Sequence, residues 1–380
     1  MNRHSLSTPG LIANPYSLQA LVEQLAVQKI VAVDTESNSL YAYQEQVCLI
    51  QFSTSAGDYL VDPLALPDLG SLAPLFADPE IEKVFHAAEY DLICLRRDFG
   101  FSFNNLFDTM WAARLLGREA IGLSAILEEQ YGVQVDKRYQ RANWGKRPLP
   151  KELSQYARQD THYLIPLRDI LKAELQKKGL WELAEEDFRR MTRINGRSFE
   201  VQDAQACWQR ISGMRDLEPR QLAVLRALCE LRDEKARQQD QPLFKIINDQ
   251  ALLAIADACP SDLEGMQKLD RLSTRQVERM GRELLKAVQE GLAAGPLYPP
   301  KPALRPDPSY ADRMEALRDW RKREARRMGV ESDVVLPRDL MVELVRLNPG
   351  SPEELSAILK EVPWRLNRYG ETILAVLRSA

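Results

Sequence analysis

Two patterns of apolar and polar residues divide this 380-residue chain near residue 190. Before that point, short runs rich in β-branched and aromatic residues predict strands, and runs with apolar residues every three or four positions predict helices. The strand-like runs are KIVAVDTES, QVCLIQFST, DYLVD and KVFHA. The helix-like runs are YSLQALVEQLAVQ, EYDLICLRRDF, DTMWAARLLG and LSAILEEQYG, followed by one long helix from Pro150 to about residue 180. This order predicts an α/β domain with a mixed sheet and flanking helices.

Beyond residue 190 the strand pattern disappears, and helical runs separated by short loops continue to the end. The segment LRDEKAR at 231–237 returns as WRKREAR at 320–326, an offset of 320 − 231 = 89 residues. A period of this length indicates two copies of a small helical domain. Six prolines between Pro296 and Pro308 predict a stiff linker between the copies. The predicted domains are therefore 1–195, 215–292 and 309–380.

Composition narrows the classes of protein that fit. With 51 basic and 55 acidic residues the net charge is −4, so that any contact with nucleic acid has to be local. The five cysteines are scattered without a CxxC, which argues against a disulfide framework or a zinc site and is typical of a reducing cytoplasm. The first residues have no apolar core of a signal peptide, and no apolar run is long enough for a membrane span. We therefore expect a cytoplasmic protein.

Several acidic residues stand where the predicted elements end or begin. Asp34 and Glu36 close the first strand, where residues i and i+2 point to the same face. Asp91 opens a helix, a position that the helix dipole favours for any acidic residue. Tyr156 and Asp160 lie four residues apart on the long helix and share one face. Each position alone also fits an ordinary solvated turn, helix start or exposed pair.

Taken together, the four carboxylates make a stronger pattern. If they converge, their repulsion either raises their pKa values or is relieved by hard cations. Magnesium and manganese suit carboxylate and water ligands. Two such ions about 4 Å apart can activate a water and stabilise the leaving oxygen of a phosphodiester.

The order and spacing of these residues resemble the DEDD exonuclease superfamily. Three segments carry the resemblance: Asp34-Thr35-Glu36, His86-Ala87-Ala88-x-x-Asp91-Leu92 and Tyr156-Ala157-x-x-Asp160-x-x-Tyr163-Leu164. The tyrosine four residues before the last aspartate is typical of the tyrosine subclass, because the histidine subclass would carry histidine at position 155, where this chain has Gln155. The match is most similar to the ribonuclease D family and covers roughly residues 10–190.

This resemblance implies a ribonuclease H-like mixed sheet and two divalent ions, Mg²⁺ or Mn²⁺, as cofactors. It makes Asp34, Glu36, Asp91 and Asp160 the metal ligands and, together with Tyr156, the catalytic residues. A tyrosine with its ordinary pKa of about 10 is a poor base at neutral pH, so we expect Tyr156 to orient the attacking water. The helical repeats resemble the HRDC domain, which implies an α/β nuclease domain followed by two all-α HRDC domains.

Two basic stretches are candidates for RNA contact. In the first, basic side chains that can neutralise phosphates flank an aromatic ring that can stack on a base: Lys137, Arg138, Arg141, Trp144, Lys146 and Arg147. The second is the helix of the later repeat, represented by Arg321 and Lys322. The alternatives are a solvated basic loop for the first stretch and a helix that packs on the nuclease domain for the second.

The function expected from this resemblance is 3′→5′ exoribonuclease activity that releases nucleoside 5′-monophosphates. Its expected partner is structured RNA with a single-stranded 3′ tail, such as precursor tRNA, and the protein is expected to be monomeric. A DNA 3′→5′ exonuclease with the same metal site and a non-catalytic RNA-binding protein are the alternatives. Structural roles are expected for four other polar residues: His86, His162, Asp108 and Asp62.

Overall fold

A six-stranded mixed sheet forms the centre of the first domain in the computed structural model, which describes residues 9–193, 204–299 and 308–380. The strands are β1 (Gly10–Ile12), β2 (Ile30–Ser37), β3 (Val47–Thr54), β4 (Gly57–Val61), β5 (Glu82–Phe85) and β6 (Leu106–Asp108). Their order across the sheet is β1-β4-β3-β2-β5-β6. β3 runs antiparallel to β2 and β4, whereas β2, β5 and β6 are parallel, and so are β1 and β4. The predicted mixed sheet is therefore confirmed, with β2 near its middle.

Eight α-helices accompany the sheet within residues 9–193. They are α1 (Pro15–Ala26), α2 (Ala73–Ala77), α3 (Glu89–Phe99), α4 (Thr109–Leu115), α5 (Leu123–Tyr131), α6 (Lys151–His162), α7 (Leu164–Lys177) and α8 (Trp181–Thr192). The prediction of one long helix up to about residue 180 was wrong, because α6 ends at His162 and α7 begins at Leu164. Pro166 explains the break, since proline has no N–H to donate to the carbonyl of His162 and its ring clashes with that carbonyl.

The two faces of β3 lie in different surroundings. Ile50 and Phe52 belong to the main core of the domain. On the other face, Leu49 packs with Leu60 against the side of α6 that carries Tyr156. Because side chains alternate along a strand, α6 is held over the odd-numbered residues of β3.

By its contacts the chain divides into two compact units. The first consists of the described residues of Met1–Ser37, Val47–Gly196 and Leu304–Ala380, and the second of Asn38–Gln46 and the described residues of Arg197–Ala303. The first unit thus joins the sheet domain and the last helical domain. Pro300, Pro302 and Pro306 of the predicted linker lie outside the described residues.

Each helical repeat contains five α-helices within its described residues. The first has α9 (Pro219–Gln239), α10 (Leu243–Ile246), α11 (Asp249–Ala258), α12 (Leu263–Gln267) and α13 (Thr274–Ala293). The second has α14 (Tyr310–Met328), α15 (Ser332–Val335), α16 (Arg338–Leu347), α17 (Pro352–Leu359) and α18 (Pro363–Ser379). The aligned arginines make the same contact in both copies: Arg232 Nη1 donates to the carbonyl of Ile247 at 3.3 Å, and Arg321 Nη1 to that of Leu336 at 3.0 Å.

The second helical repeat packs directly against the sheet domain. Arg365 of α18 is fully buried and forms ion pairs with Glu186 and Asp187 of α8. Arg114 of α4 pairs with Asp333 at 2.9 Å. Across the described parts of the chain, no helix is long and apolar enough to cross a membrane.

Candidate active site

The end of β2 carries the first two acidic residues. β2 lies between β3 and β5, and Asp34 is opposite Gln51 in the ladder with β3. The register shifts between Glu36 and Ser37, so the regular pairing ends directly after the second carboxylate. Asp34 and Glu36 therefore project together from the end of a central strand, as their spacing predicted.

Helix α6 brings the next acidic residue to the same place. One carboxylate oxygen each of Asp34, Glu36 and Asp160 lies within 4.8 Å of the other two. The three residues come from one strand and from a helix more than 120 positions later in the chain. This convergence is a property of the fold that the spacing of the residues could only suggest.

Asp91 is buried beside this group but does not belong to the set within 4.8 Å. It lies in the first turn of α3 and is 6% exposed. The hydroxyl of Thr35, the residue between Asp34 and Glu36, donates to its carboxylate. Thr35 therefore connects β2 to the start of α3.

Burial raises the pKa of all four carboxyls. For Asp34 and Glu36 the loss of solvation is the largest cause, and the charges of neighbouring carboxylates raise the pKa further. The same two causes raise the pKa of Asp91, and burial raises that of Asp160 to about 8. Negative charge concentrated in this way is unfavourable unless a proton or a cation neutralises it. An all-oxygen donor set of this kind fits hard divalent cations such as Mg²⁺ or Mn²⁺.

Tyr156 is oriented by both of its neighbours. Its hydroxyl donates to Asp160, and the side chain of Gln140 hydrogen-bonds to it. Burial and the charges of Asp160, Glu36 and Asp34 raise the pKa of Tyr156 well above its ordinary value. Tyr156 therefore keeps its proton at neutral pH and acts as a hydrogen-bond donor rather than as a base.

The acidic group opens into a cavity of about 510 Å³. Its wall includes the start of α5 at Gly122–Ala125 and the residues Lys137, Gln140 and His86. A cavity of this size accommodates a small-molecule fragment such as one nucleotide.

His86 lines this cavity as a neutral ring. The hydroxyl of Thr109 donates to the carbonyl of Phe85 at 3.0 Å, so the same oxygen accepts from His86 Nδ1 at 2.9 Å. The proton of the neutral ring is therefore on Nδ1, and Nε2 has a free lone pair. Burial lowers the pKa of His86 to about 4, which keeps the ring neutral.

Asp108 holds the turn before α3 in place, in addition to capping α4. Its carboxylate accepts from the backbone N–H of Trp111 at 2.9 Å, as an N-cap does. It also accepts from the N–H groups of Ala87 and Ala88. Ala87 has a φ of 64°, a conformation that alanine rarely adopts without such support.

The first basic stretch divides into exposed and buried residues. Lys137, Arg138 and Arg141 lie on a short 3₁₀ helix (Lys137–Arg141) with exposed side chains, and Lys146 is also exposed. Arg138 pairs with Asp136 at 2.6 Å.

Two of the residues expected to contact RNA in this stretch are engaged inside the domain. Trp144 is only 1% exposed and packs with Leu49, Leu153 and Tyr156, so its ring is not available to stack on a base. Arg147 donates to Asp62 and to the carbonyl of Cys48. Both side chains fix the segment before α6, Trp144 by packing and Arg147, which is 26% exposed, through its ion pair with Asp62.

The two basic residues of the second repeat also differ. Arg321 is half-buried, and its contact with the carbonyl of Leu336 gives it a role inside the domain. Lys322 is exposed and lies 3.9 Å from Asp319. Of this pair, Lys322 keeps a side chain that can reach a phosphate.

Sequence reasoning missed Thr35 and Gln140, and it assigned His86 only a structural role. Thr35 lies inside the first motif, which was the available signal, but its bond to Asp91 depends on how α3 meets β2. Nothing in the sequence around Gln140 indicates its contact with Tyr156. His162 contacts Asp58 at 3.0 Å, away from the acidic group, in agreement with the structural role expected for it.

Comparisons with known proteins agree with the geometry. The 3′-5′ exonuclease family matches residues 11–176, and the HRDC domain family matches residues 221–288 and 311–377. Ribonuclease D of Pseudomonas paraeruginosa is 28% identical over 375 residues, which cover 97% of both chains. The crystal structure of RNase D from Escherichia coli superposes with a TM-score of 0.70 at 27% identity and covers 98% of this chain and 99% of that one.

Longer eukaryotic proteins match as well. Protein RRP6-like 2 of Arabidopsis thaliana is 33% identical over 288 residues, which are 72% of this chain but 33% of the plant protein. Against protein RRP6-like 1 of the same plant the share is 47%, so the chain spans about a third to a half of these relatives. The similarity over the full length is to the bacterial proteins. The chain is thus similar to ribonuclease D over its full length, with a DEDD-type 3′→5′ exonuclease domain followed by two HRDC domains.

Proposed function

We propose that this protein is a divalent-metal-dependent exoribonuclease that removes nucleoside 5′-monophosphates one at a time from the 3′ end of RNA. The observation that carries the proposal is the convergence of Asp34, Glu36 and Asp160 within 4.8 Å at the edge of a nucleotide-sized cavity. The exonuclease family to which the domain belongs is divalent-metal dependent. We propose RNA as the substrate because the chain is similar to ribonuclease D and to RRP6-like proteins.

Asp34, Glu36, Asp91 and Asp160 would hold two ions, Mg²⁺ or Mn²⁺. Bound there, the ions supply a nucleophile at neutral pH and neutralise charge on the phosphate that is cut. Thr35 keeps Asp91 in line with the two carboxylates of β2. Tyr156 contributes a fixed O–H donor beside Asp160, which can orient the attacking water.

The exposed basic residues next to the cavity form the proposed path of the RNA. Lys137 lines the cavity itself, and Arg138, Arg141 and Lys146 lie within ten positions of it. Lys322 on the second HRDC domain is a further, separate contact. Phosphate contacts of this kind hold a strand without reading its bases.

We further propose that the substrate is structured RNA with a single-stranded 3′ tail, such as precursor tRNA, and that the protein acts as a cytoplasmic monomer. Metal ligands read no base, so access to the 3′ end and RNA shape would set the choice of substrate. Sedimentation analysis tests the oligomeric state, and a monomer should sediment with the mass of one chain, 43.4 kDa.

A time course on 5′-labelled single-stranded RNA and on matched DNA tests the activity, with EDTA, Mg²⁺ or Mn²⁺, for the wild type and Asp160→Asn. A metal-dependent ladder that shortens from the RNA 3′ end, and is absent for the variant, is the expected result. Faster loss of DNA would favour a DNA exonuclease on the same domain. Binding of RNA without any cleavage would favour a non-catalytic RNA-binding protein.

A further inference from the structure

Gln51 is a fully buried amide directly beside the acidic group. It lies in the middle of β3, its side chain is 0% exposed, and its Cα is paired with that of Asp34. Residues that face each other across antiparallel strands place their side chains on the same face, with Cβ atoms about 4.5–5.5 Å apart. The amide of Gln51 therefore lies next to the Asp34 carboxyl, on the face of β3 that α6 covers.

Neither Nε2 nor Oε1 of Gln51 has a hydrogen-bond partner among the described residues. A buried amide without partners is unfavourable, whereas an apolar side chain of the same size would be neutral or stabilising. Leu49 and Leu60 show that apolar side chains are accommodated at the neighbouring positions of this face. An amide at position 51 therefore indicates a hydrogen bond that forms only in the working state of the protein.

Within the sheet, the neighbouring side chains leave one partner for this amide. Along β3 the neighbours on this face are Leu49 and Ser53, and Leu60 is opposite on β4. The Ser53 hydroxyl already contacts Asp58 and Thr161. On the remaining side is the carboxylate of Asp34, which can accept an N–H.

We propose that Gln51 is a positioning residue of the metal centre, whose Nε2–H group donates to the Asp34 carboxylate and fixes its orientation toward the cation. This inference rests on the metal-dependent function proposed above. A carboxylate that accepts this N–H on one oxygen is held in the orientation in which it binds the cation, so the hydrogen bond stabilises the metal-bound state. Changes to partners of this kind typically weaken metal affinity or activity by about 10–100-fold.

The test compares Gln51→Met with Ser53→Ala, a control on the same strand, the same face and under the same helix. Mn²⁺ affinity is measured by titration calorimetry, and the stability of the metal-free protein by thermal melting. Gln51→Met should bind Mn²⁺ about 10–100-fold more weakly, although its metal-free melting temperature is equal to or above that of the wild type. Ser53→Ala should melt lower, because it loses contacts with Asp58 and Thr161, and should keep the wild-type Mn²⁺ affinity.

Kinetics separate this role from a structural one. At limiting Mn²⁺, Gln51→Met should lower kcat with no change in KM for RNA, and additional Mn²⁺ should restore kcat. Wild-type Mn²⁺ affinity in Gln51→Met would overturn the inference and leave the proposed function standing. Failure of the wild type to bind Mn²⁺ would overturn both. If Gln51→Met and a second apolar variant, Gln51→Leu, both lost their cooperative melting, Gln51 would be assigned to the core and the inference rejected.

Discussion

Replacing Arg365 with methionine should strongly destabilise the unit that the exonuclease domain forms with the second HRDC domain. Arg365 is 0% exposed, and Glu186 and Asp187 are 2% and 3% exposed. The guanidinium also donates to the carbonyls of Val334 and Val335, at 2.8 and 3.1 Å. The variant would leave two buried carboxylates and two carbonyls without this donor.

The size of the stability loss depends on the hydrogen bonds that Glu186 and Asp187 keep in the variant. Loss of one partner from a buried ion pair costs about 3–5 kcal/mol. Asp187 retains a bond from Trp111 Nε1, and Glu186 one from the backbone N–H of Trp364, both of which limit the loss. We therefore expect a decrease of about 3–4 kcal/mol in the free energy of unfolding at pH 8, near the lower end of that range.

The loss should become smaller at lower pH. Burial already raises the pKa of Glu186, and removal of Arg365 would raise it further. A carboxyl whose pKa is higher in the folded than in the unfolded state contributes stability that is lost as the pH rises through the folded-state pKa. Arg365→Met should therefore lie closer to the wild type at pH 5 than at pH 8.

Urea unfolding followed by circular dichroism measures both effects. Arg346→Met, at an exposed position of the same HRDC domain, is the control and should change stability by less than about 0.5 kcal/mol. Adding Glu186→Gln and Asp187→Asn to Arg365→Met should recover much of the loss. A loss below about 1 kcal/mol, typical of exposed ion pairs, or a loss independent of pH would refute the reasoning.

Four further outcomes are expected. Asp34→Ala should abolish cleavage while RNA affinity in a filter-binding assay stays unchanged; retained cleavage would remove the proposed metal ligand. In metal-free buffer, the carboxyl of Asp160, with its pKa raised to about 8, should contribute stability that is lost as the pH rises from about 4 to above 8. Asp160→Asn should therefore melt near the wild type at pH 5 but above it at pH 9, and a constant difference would contradict this. Trp144→Ala should lower the free energy of unfolding in urea by about 3–5 kcal/mol. Weaker RNA binding with unchanged stability would instead support stacking of Trp144 on a base. Lys137→Ala should raise KM and reduce the salt dependence of RNA binding by about one charge, and an unchanged salt slope would exclude a phosphate contact.

The sequence was sufficient for the family and the fold class because the signals for both are local. The three acidic motifs are short segments in a fixed order along the chain, and the helical repeats share identical residues at a fixed offset. The comparisons confirm the ribonuclease D resemblance and the exonuclease and HRDC domains. The roles of Asp34, Glu36, Asp91, Tyr156 and Asp160 stay predictions, which the convergence of the carboxyls supports.

The missed features depend on neighbours that are distant in the chain. β1 and β6 have three residues each, too few for a period of two to be visible. Trp144 has basic neighbours and was expected at the surface, but the packing of α6 on β3 buries it. The position of Gln51 opposite Asp34 is set by strand register, and the partners of Arg365 are set by domain docking; no local pattern encodes either.

The pairing of Arg365 with Glu186 affects when the exonuclease domain becomes fully stable during synthesis. The two residues are 179 positions apart, and Arg365 is the later one. At about 5–20 residues per second, synthesis reaches Arg365 roughly 10–35 seconds after Glu186. During that interval the newly made exonuclease domain carries the carboxylates of Glu186 and Asp187 without Arg365, which has not yet been synthesised. The exonuclease domain would thus reach its final stability only after the second HRDC domain has been made.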